Sequence, residues 1–132
     1  EGKLTARQYV MLSGRQPELL EAWYQKGPMI DQDHMVTVRS IKLNCDGALG
    51  PWGAWLLEDY SDKPGHRGHE TLPMSVVTEV SERAIPLGFQ VCAHAIGDRA
   101  QLPRGAPRGA QRGIHARGQP QLFVVPQTGP AL

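Results

Sequence analysis

The order of strand-like and helix-like stretches constrains the fold of this chain more than any other feature. Short runs with β-branched residues and period-two alternation predict strands, and stretches with apolar residues three and four apart predict helices. In chain order these are strand Tyr9–Leu12, helix Pro17–Lys26, strand Val36–Cys45, helix Ser75–Leu87 and strand Phe89–His94. Strands that alternate with helices favour an α/β fold with a parallel sheet and helices outside it.

Local patterns refine these elements. The run Tyr9–Leu12 is apolar and reads as a buried strand. The second helix is expected to place one stripe in the core: Val77, Val80, Ala84 and Leu87. Between Asp46 and Thr71 the chain is rich in Gly, Pro, Asp and Ser, and it is too long for a simple connection. We therefore expect a functional loop there.

Two α/β architectures remain open on this evidence. A doubly wound sheet places its functional residues where the strand order reverses, and a (β/α)₈ barrel places them at the carboxyl ends of many strands. Asn44, Asp46 and His94 all fall where a strand is predicted to end. Lys42 lies within a strand between Ile41 and Leu43, so its side chain must face either solvent or a barrel interior.

The composition changes near Ala100. Residues 1–100 hold all 13 acidic side chains and 10 of the 14 basic ones, whereas residues 101–132 hold four Arg, no acid, five Gly and five Pro. This predicts two parts: an α/β unit over 1–100, and a disordered Arg/Gly/Pro-rich segment over 101–132. Arg, Gly, Ala and Pro are also what GC-rich codons encode when read out of frame, so a frameshift at Ala100 is a second hypothesis for this segment.

The remaining composition excludes several classes of protein. No apolar run approaches the roughly 20 residues of a membrane span, and no block of like charge predicts binding to nucleic acid. Cys45 and Cys92 both lie in apolar strands, which favours two buried thiols in a reducing, cytoplasmic compartment over a disulfide. Since the first residue is Glu1 and not Met, we expect the chain to be a piece of a longer one.

Lys42 and His94 are the residues whose side chains are best suited to metal binding. A lysine in a low-dielectric site loses its proton readily, and the neutral amine can react with carbon dioxide to give a carbamate that bridges two divalent metal ions. His94 would supply an imidazole nitrogen to the same centre. The alternative for each is structural: an edge or ion-paired lysine, and a hydrogen-bonded histidine at a strand end.

Three segments resemble one enzyme superfamily. Residues 41–50 read IKLNCDGALG, residues 60–68 read YSDKPGHRG and residues 94–100 read HAIGDRA. In this order and at this separation they resemble the amidohydrolase superfamily, in particular the amidohydrolase-3 group that includes N-substituted formamide deformylases. The weaker stretch Tyr9–Arg39 is similar to the third strand and helix of that group.

The resemblance implies a metal-dependent (β/α)₈, or TIM, barrel, of which this chain would contribute about three β/α units, strands three to five. It implies that Lys42 is the carbamylated bridge of a binuclear, zinc-type centre and that His94 is a metal ligand. Asp46 and Asp98 match motif positions and are expected to shape turns behind the ligands. His66 and His69 lie in a Gly/Pro loop and are expected to be solvated.

Trp52 and Trp55 depart from the family pattern, in which Ser-Arg commonly follows the position of Gly50. We expect these indoles to make a bulky, apolar substrate loop. The function implied is hydrolysis of a C–N bond in a small non-peptide amide or formamide by a metal-activated water. Since the family's remaining ligands have no counterpart here, the alternative is an inactive remnant or a non-enzymatic interaction fragment.

Overall fold

A computed structural model of the chain describes residues 4–101 and 122–124. The elements in chain order are β1 (Gln8–Ser13), α1 (Pro17–Lys26), β2 (Met29–Ile30), β3 (Val36–Asn44), α2 (Met74–Ala84), β4 (Gln90–His94), α3 (Asp98–Gln101) and β5 (Leu122–Val124). The predicted α/β order of the first 100 residues is confirmed. Within the described ranges, no helix is both long and apolar enough to cross a membrane.

Four of the strands form a parallel sheet in the order β1-β3-β4-β5. These strands follow one another in the sheet as they do along the chain, so the described part contains no reversal of the kind that defines a doubly wound switch point. The register sets Ser13 of β1 opposite Lys42 of β3, and Lys42 opposite Cys92 of β4. The carboxyl ends of β1, β3 and β4 therefore lie at the same end of the sheet.

The two faces of β3 have different surroundings. Ile41 and Leu43 are completely buried in a core that includes Leu20 and Tyr24 of α1 and Val77, Val80 and Ala84 of α2. Lys42 and Asn44 point to the opposite face because side chains alternate along a strand. Lys42 is half-buried there and Asn44 is exposed, so the face that carries the predicted site residue Lys42 is the one turned away from the helices.

Helix α1 has the predicted bounds. Pro17 occupies its first turn, where a missing N–H costs nothing, and Gly27 ends it with φ 79°. Helix α2 is shorter than predicted and ends at Ala84. Pro86 has no N–H to donate and its ring would clash with the carbonyl of the preceding turn, so Ile85–Gly88 forms a turn instead. The predicted core position of Leu87 was wrong for this reason, since its side chain is exposed.

The prediction that β1 is a buried strand was also wrong. Tyr9 is 52 % and Met11 48 % exposed, and only Leu12 is buried. In the described structure β1 lies at the edge of the sheet, with β3 on one side. Since α1 and α2 cover one face only, the apolar residues of β1 other than Leu12 remain in contact with solvent.

A short strand, β2, was not predicted. It pairs antiparallel with the first part of β3, Met29 opposite Val38 and Ile30 opposite Thr37. The intervening turn is closed by Asp31, whose side chain accepts a hydrogen bond from the N–H of Val36 at 2.9 Å. His34 in this turn adopts φ 54°. Two residues are too short a run to produce a periodic pattern, so this strand is not predictable from periodicity.

Strand β5 lies in the segment predicted to be disordered. Leu122–Val124 pairs parallel with Val91–Ala93 of β4, so the prediction was wrong for these three residues. They belong to the apolar run LFVV, which stands out in a Gly/Pro-rich segment and has strand-forming residues. Residues 102–121 and 125–132 lie outside the described structure, so disorder and a frameshift stay predictions there.

Candidate functional site

A cleft of about 590 Å³ opens beside the carboxyl ends of β1 and β3. Its lining comes from both strands and from the loops that follow them: Met11, Ser13, Arg15, Lys42, Asn44, Asp46, Gly47 and Thr71. We call it the strand-end cleft. In folds with a parallel sheet, ligands bind at this end of the strands.

Lys42 borders the strand-end cleft from the middle of the sheet. Its neighbours on the same face are Ser13 and Cys92, neither of which is a carboxylate. Within the described residues its ammonium group makes no ion pair and no hydrogen bond. A half-buried cation without a partner is unfavourable for stability, so this lysine is unusual for a structural residue.

His94 ends the neighbouring strand on the same face, opposite Asn44. From the spacing of strands and of residues along them, its Cα lies about 8 Å from that of Lys42. Its Nε2 is 3.9 Å from Oδ1 of Asp46, which is too long for a hydrogen bond. Among the described residues its imidazole has no hydrogen-bond partner, and its side chain is 17 % exposed.

Asp46 is a buried carboxylate that joins the end of β3 to two loops. It is 2 % exposed. It accepts hydrogen bonds from the backbone N–H groups of Trp55 at 2.9 Å, Ile96 at 3.0 Å and Gly97 at 2.7 Å. These bonds connect the end of β3 to the long loop and to the segment after β4, so they fix the position of the backbone that follows His94.

Asp98 makes a second connection between the same loops. Its carboxylate accepts hydrogen bonds from the N–H groups of Leu57 and Arg99, each at 2.8 Å. The N–H of Arg99 also lies 3.1 Å from the carbonyl of Trp55. Asp98 begins α3, where a carboxylate also interacts favourably with the helix dipole.

Neither tryptophan of the expected substrate loop lines the strand-end cleft. Trp52 is on the outer side of the long loop, where its indole N–H donates to Asp62 at 3.1 Å and the ammonium of Lys63 lies 4.5 Å from its ring centre. Trp55 packs against the core, and the guanidinium of Arg99 lies 4.9 Å from its ring centre. Both indoles thus stabilise the loop in this structure.

The two loop histidines also have different surroundings. His66 is half-buried, stacks on Tyr60 and has its Nε2 2.9 Å from the carbonyl oxygen of Trp52. His69 is exposed. Within the described ranges, no three His, Cys, Asp or Glu side chains come together as a metal site.

Both cysteines are buried free thiols. Burial raises the pKa of the Cys45 thiol, and the nearby carboxylates of Asp46 and Glu70 raise it further. Burial also raises the pKa of Cys92, which the positive charge of Lys42 partly offsets. These thiols therefore stay protonated at neutral pH and are poor metal ligands and nucleophiles.

The sequence analysis missed three residues of the strand-end cleft: Ser13, Arg15 and Thr71. Thr71 is anchored to the end of β3 by two hydrogen bonds. Its N–H donates to the carbonyl of Cys45 at 2.9 Å, and its hydroxyl donates to the backbone carbonyl of Asn44 at 2.6 Å. Arg15 in turn donates to the carbonyl of Thr71 at 3.0 Å. The available signal was their position, since Ser13-Gly14-Arg15 follows a strand just as Asn44-Cys45-Asp46 does.

Lys42 and His94 fit part of a site for a divalent metal. Both present nitrogen atoms without hydrogen-bond partners in the described structure, on one face and at one end of adjacent strands. Imidazole is a common ligand of such metals, and a lysine can take part once it has lost its charge. Two side chains do not complete a coordination sphere.

The sequence model of the amidohydrolase family matches residues 2–117 of the chain. The chain belongs to the amidohydrolase family. The match ends within the Arg/Gly/Pro-rich segment, beyond the change of composition near Ala100, and the division of the chain at that residue stays a prediction.

Solved structures similar to this amidohydrolase are two uncharacterized metal-dependent hydrolases. The structure from Pyrococcus furiosus matches with a TM-score of 0.65 and 35 % identity. The match covers 74 % of this chain and 20 % of the Pyrococcus furiosus chain. The structure from Pyrococcus horikoshii OT3 matches with a TM-score of 0.62 and 31 % identity, and the match covers 71 % of this chain and 19 % of the Pyrococcus horikoshii chain. A curated relative, Protein LONG AFTER FAR-RED 3 of Arabidopsis thaliana, is 33 % identical over 82 residues, which is 62 % of this chain and 14 % of that protein. The amidohydrolase described here therefore spans a fifth or less of these relatives.

Proposed function

We propose that this amidohydrolase forms part of the active site of a metal-dependent hydrolase that acts on C–N bonds of small non-peptide amides or formamides. The observation that carries the proposal is the placement of Lys42 and His94 on one face of neighbouring strands, each without a hydrogen-bond partner in the described structure. Lys42 lines the strand-end cleft, and His94 lies opposite its lining residue Asn44. The similarity to structures of metal-dependent hydrolases supports it. The parallel order β1-β3-β4-β5 suits successive strands of a (β/α)₈ barrel.

Lys42 would serve this function as a carbamate. Its neutral amine attacks the carbon of carbon dioxide, a new C–N bond forms, and one proton leaves the nitrogen for solvent. The product is a planar anion with two oxygen donors in place of a cation. Lys42 is half-buried between Ser13 and Cys92, with no carboxylate paired to it in the described structure, so a carbamate formed here would displace no ion pair.

His94 would supply a neutral nitrogen ligand to the same centre. The carboxylate of Asp46, 3.9 Å from its Nε2, lies behind it and is occupied by three backbone N–H groups. Asp46 is therefore the residue that positions the backbone around the ligand. Lys42 and His94 would hold a divalent metal ion, with zinc as the candidate, which would supply hydroxide at neutral pH and polarise a carbonyl.

Zinc binding and carbamylation of the purified 132-residue chain test the proposal. We expect calorimetric titration with zinc to show binding that strengthens with bicarbonate, and ¹³C-bicarbonate to give a carbamate NMR signal. Lys42→Ala should remove both signals, and His94→Ala should weaken zinc binding. Lys63→Ala and His66→Ala are matched controls, because both residues lie on the loop surface away from the strand-end cleft.

Hydrolysis supplies the third readout. Release of formate from an N-formyl amine in the presence of zinc, lost in Lys42→Ala and retained in Lys63→Ala, is the expected result. A chain that binds no zinc and shows no carbamate signal contradicts the proposal. That outcome favours an inactive remnant of a hydrolase.

A further inference from the structure

Arg15 provides a cationic group at the mouth of the strand-end cleft. It follows β1 directly, and its guanidinium donates one hydrogen bond, to the carbonyl of Thr71 at 3.0 Å. Thr71 is itself held to the end of β3 by its N–H and its hydroxyl. The guanidinium is therefore attached to the rigid edge of the sheet although Arg15 is an exposed residue.

Most of the hydrogen-bonding capacity of Arg15 remains available. A guanidinium has five N–H donors, and the described structure gives its side chain one hydrogen bond and no ion pair. The acidic side chain that lines the cleft is Asp46, which is buried and already accepts three backbone N–H groups. The positive charge of Arg15 is thus not compensated by the described walls of the cleft.

We propose that Arg15 binds a carboxylate group of the substrate, so that the amides recognised in the strand-end cleft are anionic. This inference rests on the proposed function, since it names the substrate class of the same site. The planar fork of a guanidinium pairs with a carboxylate through two parallel hydrogen bonds. Lys42 lines the same cleft and is less exposed than Arg15, so an amide held by its carboxylate at Arg15 extends its C–N bond towards Lys42.

Two probes of equal size isolate the charge: N-formylglycine, which carries a carboxylate, and the neutral N-formylglycinamide. Their binding to the full chain is measured by NMR titration. We expect the chain to bind N-formylglycine about tenfold more tightly, as a charge-assisted pair predicts. In Arg15→Gln this preference should vanish through weaker binding of the anion alone, and Arg15→Lys should retain part of it.

Arg7→Gln is the matched control. Arg7 is also an exposed arginine that donates one hydrogen bond to a backbone carbonyl, that of His34 at 3.3 Å, but it precedes β1 and does not line the cleft. Its replacement should leave the preference unchanged. Circular dichroism of each variant confirms that the fold is retained.

The proposal is overturned if Arg15→Gln keeps the preference, if the chain binds neither probe at millimolar concentration, or if Lys42→Met instead of Arg15→Gln abolishes the preference. Its failure is distinguishable from failure of the hydrolase proposal. Zinc binding and carbamylation with no effect of Arg15→Gln reject the carboxylate subsite alone. An Arg15-dependent preference in a chain that binds no zinc supports the subsite and rejects the hydrolase.

Discussion

The N–H of Gly97 donates a 2.7 Å hydrogen bond to the carboxylate of Asp46, a residue 51 positions earlier in the chain. The bond is buried and joins the loop after β4 to the end of β3. With the bonds from Trp55 and Ile96, it makes Asp46 a common anchor of the long loop and of the segment that follows His94. The geometry of the candidate site therefore depends on a residue that we do not expect to contact the substrate.

Replacement of Asp46 should destabilise the protein strongly. Asp46→Ala leaves three N–H groups without their acceptor, which is expected to lower the free energy of unfolding by about 3 kcal/mol or more. Asp46→Asn keeps one acceptor oxygen and should cost less. Urea denaturation measures both, with Asp62→Ala as the control, because Asp62 is exposed and accepts one bond from an indole. Equal stability of Asp46→Ala and Asp62→Ala would show that the anchor is unimportant.

Gly97 should not tolerate a side chain. A Cβ built on it would lie 1.9 Å from the carbonyl oxygen of Trp55 and 2.4 Å from the carbonyl carbon, so one of the two loops must move. We expect Gly97→Ala to reduce the melting temperature by several degrees, since overpacking costs about 1–3 kcal/mol. Gly50→Ala is the control, as nothing lies within 4 Å of its Cβ position. Similar melting temperatures for the two variants would contradict this expectation.

Lys42→Met should separate stability from function. The substitution replaces a half-buried ammonium, unpaired in the described structure, by an apolar side chain of similar length, and is expected to raise the free energy of unfolding by about 1 kcal/mol. The same variant should lose zinc binding. Lys63→Met tests the specificity of the gain, because it removes an exposed cation that lies over Trp52. A less stable Lys42→Met protein would indicate a structural lysine.

The two thiols should be protected in the native state. Burial is the largest cause of the raised pKa of Cys45 and of Cys92. A folded pKa above the unfolded one stabilises the protein at neutral pH, and this contribution is lost as the pH rises from about 8.5 through the folded values. Ellman's reagent at pH 8 should react with neither thiol in the native protein and with both in urea. Rapid native reaction would contradict the burial of these strands.

The ion pair between Asp59 and Arg67 should make the long loop sensitive to acid. Hydrogen bonds from the Arg67 side chain and from the N–H of Gly65 hold the pKa of Asp59 below its usual range. A lowered folded pKa stabilises the loop above the unfolded value of about 3.9, and the contribution is lost as the pH falls through the lower folded value. Asp59→Asn should therefore reduce the melting temperature at pH 6, and this effect should shrink as the pH falls from about 3.9 towards the lower folded pKa. The exposed Asp33 supplies the control, Asp33→Asn, whose effect should not depend on pH in this way.

Periodicity and turn residues were sufficient to predict the parallel strands of the first 100 residues and helix α1. They place Ile41 and Leu43 on one face of β3 and Lys42 on the other, which the burial of these residues confirms. These patterns failed where the packing of other elements decides whether a side chain is buried. Tyr9 and Met11 have the pattern of buried residues, but their exposure depends on what covers β1, and no local pattern contains that information.

For the candidate site, residue type and position indicated Asp46 and His94 at strand ends and Lys42 within a strand, because parallel strands bring their carboxyl ends together. The structure places these residues on adjacent strands, and their role in metal binding stays a prediction. Arg15 and Thr71 were missed because their importance comes from a hydrogen bond between residues 56 positions apart. The long loop folds back so that Trp52 contacts Asp62 and not the cleft, and composition alone does not reveal such a path.

The pairing of Lys42 with Cys92 has a consequence for the order in which the molecule forms. These partners are separated by a long stretch of chain, so their contact requires closure of a large loop before any favourable packing is gained. Folds dominated by such distant contacts form slowly. Helix α1 and the hairpin of β2 and β3 can form early from local contacts, whereas β4, and with it His94, joins only afterwards. The face that carries Lys42 and His94 is thus expected to form in a late kinetic step, and a ligand that bridges β3 and β4 would slow unfolding more than it speeds folding.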